Sequence, residues 1–286
     1  MLGRRRTGSV VCPGCGKLVG AGESRCPFCG RPAPAMFGLT AALRRLGLRL
    51  GLWPLIGWAC GALYLATVVT SGGGVGGGGV LGLFAPSFER LFAFGASGPV
   101  PVLQYGRWWT VLSAGWLHGN LLHIGLNLYA LWQIAPAVEH LYGTGRALVI
   151  YTLSSVLGFL ASSLSPFMPS PLRLLMGAGG GITVGASAAL FGLLGALIHY
   201  SRRGGSRALG QQIWLWVIFM FVFGRLSPGV DNWAHLGGFL GGWLLAFWLD
   251  PLRPERLDHL VAGLLCLLAS AGAIVWSLVS FQRLAG

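Results

Sequence analysis

Apolar residues dominate most of this chain, and the sparse polar positions divide it into blocks. Seven apolar stretches approach the ~17–25 residues that a helix needs to cross a bilayer: 52–71, 121–141, 147–164, 185–201, 211–224, 234–249 and 260–280, the fifth and sixth being short. Each is read as a transmembrane helix. Between the first two lies a segment of about 72–117, opened by a glycine tract at 72–79. Its Phe84, Phe88, Phe92, Phe94, Trp108, Trp109 and Trp116 are too many aromatic rings for a loop in water. That segment is expected to lie partly in the membrane interface, where such rings are favoured. The glycine tract reads as a flexible connector.

Composition agrees with this pattern. Charged residues make up 9% of the 286, hydrophobic residues 54%, and the mean hydropathy is +0.70. A soluble domain carries about a quarter charged residues. No apolar stretch follows Arg4, Arg5 and Arg6, so no cleavable leader is expected. The net charge of +13 acquires meaning from its placement. With the N-terminus inside, 15 of the 20 Lys and Arg fall on the inner side and five on the outer. This positive-inside bias implies a multi-pass protein of the cell membrane with a cytoplasmic N-terminus. The basicity then serves topology and contact with the lipid bilayer. Nucleic-acid binding is not expected, because no basic run is interleaved with aromatics.

The chain divides at 1–33, a small cysteine module; 34–51, a basic juxtamembrane linker; 52–250, a membrane core; and 251–286, an additional C-terminal span. The linker carries Pro34, Arg44, Arg45 and Arg49, as expected for a stretch lying at the inner membrane surface. In the module, Cys12-Pro-Gly-Cys15-Gly and Cys26-Pro-Phe-Cys29-Gly are two turns of one design. Two such turns can wrap four thiolates around one metal. The pattern resembles the zinc ribbons over about residues 10–31, and a structural Zn2+ is expected. A disulfide reading loses on the cytoplasmic, reducing side. A module of this size cannot bury a core, so metal would fold it. It is a candidate docking point for a cytoplasmic partner. Cys60 and Cys266 lie within spans and read as core residues.

Polar side chains inside apolar spans are costly and mark candidate chemistry. The second span opens with His118-Gly-Asn-Leu-Leu-His123-Ile-Gly-Leu-Asn127, the fourth with Gly185-Ala-Ser187-Ala, and the sixth with Ala234-His235-Leu-Gly237-Gly238. His123 and Asn127, spaced i,i+4, share a helix face. Alternating topology starts all three spans on the outer side, so the clusters share one layer. Gly185, Ala188, Ala189, Gly192 and Gly195 on the fourth span, and Gly237, Gly238, Gly241 and Gly242 on the sixth, form small-residue faces. Such faces permit close helix approach in lipid. Close approach is what would bring Ser187 within the ~3 Å of His235 that a nucleophile–base pair requires. Singly, each residue has an ordinary explanation: a back-bonded Ser, an interfacial His, an Asn holding helices together. Four of them in one layer outweigh those explanations.

These motifs, in this order and on these spans, resemble the rhomboid intramembrane serine proteases over roughly residues 52–250. Arg107-Trp108 in the first loop and Glu139 at the end of the second span are further matches, while Ala188 stands where many members have Gly. The resemblance implies an all-α membrane protein: a bundle of six core transmembrane helices plus one C-terminal helix, preceded by the small zinc ribbon. It implies peptide-bond hydrolysis in transmembrane protein substrates near the outer face, with Ser187 as nucleophile and His235 as base. Oxyanion support would come from the Ser187 N–H, His123 and Asn127, with His118 hydrating or orienting the site. No cofactor is needed for that catalysis. Asp231, the one acid near His235, reads as a solvated loop-end residue, which leaves a dyad. A non-catalytic relative that binds transmembrane helices would lack Ser or His, and this chain has both. A transporter with His118, His123 and His235 as ligands would show more intramembrane acids and an internal repeat.

Overall fold

A computed structural model describes residues 9–12, 15–20, 23–30, 51–72, 84–177, 179–204, 206–227, 229–253 and 255–285. The basic linker, apart from residue 51, and most of the glycine tract lie outside the described residues. The N-terminal module is a two-stranded antiparallel hairpin of β1 (Ser9–Val11) and β2 (Leu18–Gly20), with Val10 opposite Val19. The rest is helical: α1 (Leu52–Thr70), α2 (Phe88–Phe94), α3 (Thr110–Ser113), α4 (Leu121–Tyr142) and α5 (Thr144–Ser163) come first. They are followed by α6 (Ser170–Met176), α7 (Ser187–Arg203), α8 (Arg207–Leu226), α9 (Asn232–Trp248) and α10 (Leu257–Ala285).

All seven expected spans are helices. Five of them, α1, α4, α5, α8 and α10, are long and apolar enough to cross a membrane by length and composition. The other two, α7 and α9, have 17 residues each, about 26 Å of helix. They are the pair that carry Ser187 and His235. The expected short fifth span is full length, because its helix begins at Arg207.

Packing centres on α5, α7 and α9. The glycines of α9 divide their work between two neighbours. Gly237 and Gly241 face α5: a Cβ on Gly237 would lie 2.7 Å from the Leu157 carbonyl oxygen. Gly238 and Gly242 face α7, where a Cβ on either would fall on the backbone of Ala188 or Gly192. The two overlapping glycine pairs of the sequence thus serve different partners, and these stripes, one residue out of phase, lock α9 between two helices. In lipid, association of this kind rests on close van der Waals contact, since apolar surface gains little by leaving hydrocarbon.

The ends of the bundle remote from Ser187 and His235 are fastened by polar groups. Glu139 accepts from the Leu52 backbone N–H at 3.1 Å and from Thr144 Oγ1 at 2.6 Å. One carboxylate thereby serves the N-terminal ends of both α1 and α5. Arg146 is buried and donates to the carbonyls of Tyr142, Asp250 and Arg253.

The aromatic segment before α4 is folded over residues 84–117. It holds α2, a π-helical turn at Val100–Gln104 and α3. Phe92, Phe94 and Trp116 are buried, while Phe84, Phe88 and Trp108 remain exposed. Arg107 is fully enclosed at 1% exposure. It donates to the Phe92 carbonyl at 2.6 Å and to the Ser277 carbonyl of α10 at 2.9 Å. Its guanidinium also sits 4.3 Å from the Phe92 ring centre. The last helix is thus clamped to the first loop.

Candidate active site

Ser187 is the first residue of α7, and His235 lies in the first turn of α9. The glycine seam between these helices brings Ser187 Oγ and His235 Nε2 to 2.9 Å. This is hydrogen-bonding distance for a hydroxyl and an imidazole. The His235 ring is buried and stacks on Phe191, with ring centres 4.3 Å apart and planes 16° apart. Phe221 meets it edge-on at 6.3 Å. Phe191 lies one turn beyond Ser187 on the same face of α7, so Ser187 and the support for the His235 ring come from one helix.

His235 Nδ1 has no hydrogen-bond partner among the described residues. Asp231 is buried at 8% exposure and is the N-cap of α9. Its Oδ1 accepts from the N–H groups of Trp233 and Ala234 at 3.0 and 3.1 Å, and Oδ2 accepts from Ser162 Oγ. The expectation of a solvated loop-end residue is therefore corrected. An Asp followed by an apolar helix is a strong N-cap signal, and the cap draws this carboxylate into the bundle. It starts the helix that carries His235 and does not hydrogen-bond the imidazole.

The third cluster surrounds the same space. Asn120 caps α4 by accepting from the His123 N–H at 2.7 Å. The Gly119 N–H donates to His123 Nδ1 at 3.3 Å. A ring nitrogen that accepts must be unprotonated, so the neutral ring carries its hydrogen on Nε2. That nitrogen faces the turn that leads into Ser187: a Cβ on Gly185 would lie 2.6 Å from His123 Nε2 and 3.8 Å from Ser187 Oγ. Gly185 also has φ +130°, a conformation L side chains rarely adopt. Any larger residue there would be strained and would fill the space between serine and histidine. Asn127 is buried and donates Nδ2 to the His123 carbonyl at 2.8 Å. His118 is fully buried, makes an edge contact with His123 at 5.2 Å, and has no partner for either ring nitrogen among the described residues.

The turn before Ser187 is held by the first loop, a support that sequence reasoning missed. Ser97 and Thr183 form an antiparallel bridge through bonds of 3.1 and 2.8 Å. The Gly181 carbonyl accepts from the Val100 N–H at 3.0 Å, and the Gly185 N–H donates to the Ala114 carbonyl at 3.0 Å. Helix α7 has no side-chain cap. Its first-turn N–H groups are therefore directed at whatever occupies the space above Ser187.

In the N-terminal module, Cys12, Cys15, Cys26 and Cys29 bring their sulfurs within 4.8 Å of one another. Cys12 and Cys29 are 3.7 Å apart, Cys15 and Cys26 3.6 Å. Tetrahedral ligation at a metal–sulfur length of ~2.3 Å demands an edge of about 3.8 Å, which these spacings approach. Each pair is closed by the same turn: the Gly16 N–H donates to the Cys12 carbonyl and the Gly30 N–H to the Cys26 carbonyl. Both glycines have φ near +70°. Burial pushes the Cys26 pKa up, but the N–H groups of Phe28 and Cys29 aimed at its sulfur outweigh burial and lower it to about 6. That favours the thiolate a metal requires at this sulfur, whereas the thiol of Cys15 is shifted upward. The four cysteines fit a metal.

Comparison with known proteins bears on the membrane part. The rhomboid domain model matches residues 105–251. Rhomboid protease GluP of Bacillus subtilis is 34% identical over 196 residues, 67% of this chain and 36% of that protein. RHOMBOID-like protein 5 of Arabidopsis thaliana is 34% identical over 177 residues, covering 60% of this chain and 53% of that protein. A putative rhomboid protease of Bacillus subtilis, YdcA, is 29% identical over 155 residues, covering 53% of this chain and 72% of the relative. The chain thus spans about a third of the first of these relatives and about half of the second. A helical membrane bundle with the matched domain across its central helices makes this chain a member of the rhomboid family.

Proposed function

We propose that this protein is an intramembrane serine endopeptidase that cuts transmembrane protein substrates with a Ser187–His235 dyad. The observation that carries this reading is the 2.9 Å contact between Ser187 Oγ and His235 Nε2 at the heads of two helices locked by glycine. Ser187 Oγ attacks the scissile carbonyl while His235 Nε2 takes the proton and returns it to the leaving amine. Stacking on Phe191 holds the imidazole in plane, a task that a carboxylate performs in a triad. The developing oxyanion is met by the Ser187 N–H and by His123 Nε2–H, whose tautomer Gly119 sets from the far side of the ring. Asn127 donates one Nδ2 hydrogen to the His123 carbonyl and has a second to offer the oxyanion. His118, buried behind His123, hydrates or orients that site.

The distribution of Lys and Arg supports an N-terminus in the cytoplasm of a cell-membrane protein, with the cut near the outer face. The cysteine module then holds a structural Zn2+ on the opposite side and takes no part in the chemistry. The alternative, a helix-binding protein without activity, leaves the Ser187–His235 contact without a purpose.

Purified protein in proteoliposomes with a fluorogenic transmembrane substrate tests this reading. Cleavage is expected, and it is expected to vanish in both Ser187→Ala and His235→Ala; full activity in either variant refutes the dyad.

A further inference from the structure

At the ends of α7 and α9 remote from the dyad lies an open cavity of about 520 Å³, lined by His199, Arg202, Arg203, Trp243 and Phe247. His199 is buried at 4% exposure, and its Nε2 has no hydrogen-bond partner among the described residues. Its ring is fixed edge-on to Phe247 at 4.4 Å and to Trp243 at 6.5 Å. A buried ring nitrogen left without a partner is costly unless something else satisfies it. The two arginines differ. Arg203 pairs with Asp250 at 3.6 Å, whereas Arg202 makes no ion pair among the described residues. An unbalanced cation, an unsatisfied imidazole nitrogen and two aromatic walls thus share one hollow.

The surroundings identify the occupant. Leu244, Phe247 and Trp248 are exposed apolar side chains on the same end of α9, a helix of the membrane bundle. We propose that this cavity binds the phosphate of an anionic phospholipid. Arg202 and His199 Nε2 donate to phosphate oxygens, and Trp243 and Phe247 flank the start of an acyl chain. Guanidinium and imidazole donors suit phosphate, and basic hollows between membrane helices are where such headgroups bind. The partly neutralised Arg203 draws the headgroup in without closing on it. The phosphate group itself could also arrive as a free ion, and the aromatic walls are what favour lipid.

The test uses full-length protein in zwitterionic detergent, titrated separately with phosphatidylglycerol, phosphatidylcholine and inorganic phosphate. Bound lipid is counted by native mass spectrometry and stabilisation is followed by thermal unfolding. Saturable binding of one phosphatidylglycerol is expected, about tenfold weaker in Arg202→Gln, the loss of one charge-assisted donor. His199→Phe, which keeps the ring and removes the nitrogen, should weaken it similarly. Arg207→Gln, an exposed basic residue outside the cavity, should leave it unchanged, and Arg202→Gln should retain proteolysis. Equal affinity for phosphatidylcholine, or undiminished phosphatidylglycerol binding in Arg202→Gln, overturns the proposal. Inorganic phosphate binding as tightly as phosphatidylglycerol overturns the lipid assignment and leaves a site for soluble phosphate.

Discussion

Gly238 tests how the bundle positions the dyad. It lies three residues beyond His235, where α9 crosses α7, and a Cβ added there would sit 2.8 Å from the Ala188 carbonyl carbon and 3.1 Å from its Cα. Ordinary carbon contacts are about 3.5–4.0 Å, and backbone cannot rotate away as a side chain can. Gly238→Ala therefore forces the helices apart by on the order of 1 Å. Ala188 adjoins Ser187, so the displacement falls on the reacting pair. The 2.9 Å contact would open to about 3.9 Å, beyond the ~3.2 Å reach of a general base. A misplacement of that size costs on the order of 10²-fold in kcat, with KM little changed. Overpacking would also lower stability by about 1–3 kcal/mol. The assay is cleavage of a fluorogenic transmembrane substrate in proteoliposomes, with unfolding measured on the same sample. Gly61→Ala in α1 is the control, because nothing lies within 4 Å of a Cβ there. Activity of Gly238→Ala equal to that of Gly61→Ala would refute the reasoning.

Asp231→Asn keeps an oxygen for the α9 cap, so its stability should change by less than about 1 kcal/mol and cleavage should persist. A loss approaching 10⁴-fold would instead mark Asp231 as a third catalytic member. Glu139→Ala leaves the Leu52 N–H and Thr144 without their shared acceptor, and should cost about 1–3 kcal/mol in denaturant unfolding with no direct effect on the dyad. Metal analysis should find zinc bound to the intact protein. Its removal by a chelator should open Lys17 and Arg25 to trypsin while substrate cleavage continues; protection that survives chelation would exclude a metal-folded module.

Much of the site could be read from the sequence because charge and polarity are so scarce in the spans. Ser187, His235, His123 and Asn127 stand out against apolar neighbours, and their common depth follows from alternating topology. The glycines announced close packing but not their allocation to two helices, since a stripe shows that a neighbour is near without naming it. Asp231 was misjudged because its value as a cap depends on where the helix starts, and helix starts are the least certain feature of a sequence pattern. Its i,i+3 proximity to Ala234 was visible; its burial against Ser162 was not. Phe191, spaced i,i+4 from Ser187, could have been found by the same reasoning that paired His123 with Asn127. The bridge between Ser97 and Thr183 and the reach of Arg107 to Ser277 join residues far apart in the chain, and no local pattern encodes such pairings.

The proposed mechanism requires His235 to activate Ser187. A fluorophosphonate probe reports this without any assumption about substrate, because it forms a covalent bond only with a serine whose proton a base can take. Labelling of the full-length protein in lipid, followed by peptide mapping, should place the adduct on Ser187 and should fall to background in His235→Ala. Equal labelling of the wild type and His235→Ala, or an adduct on any other residue, would contradict the account.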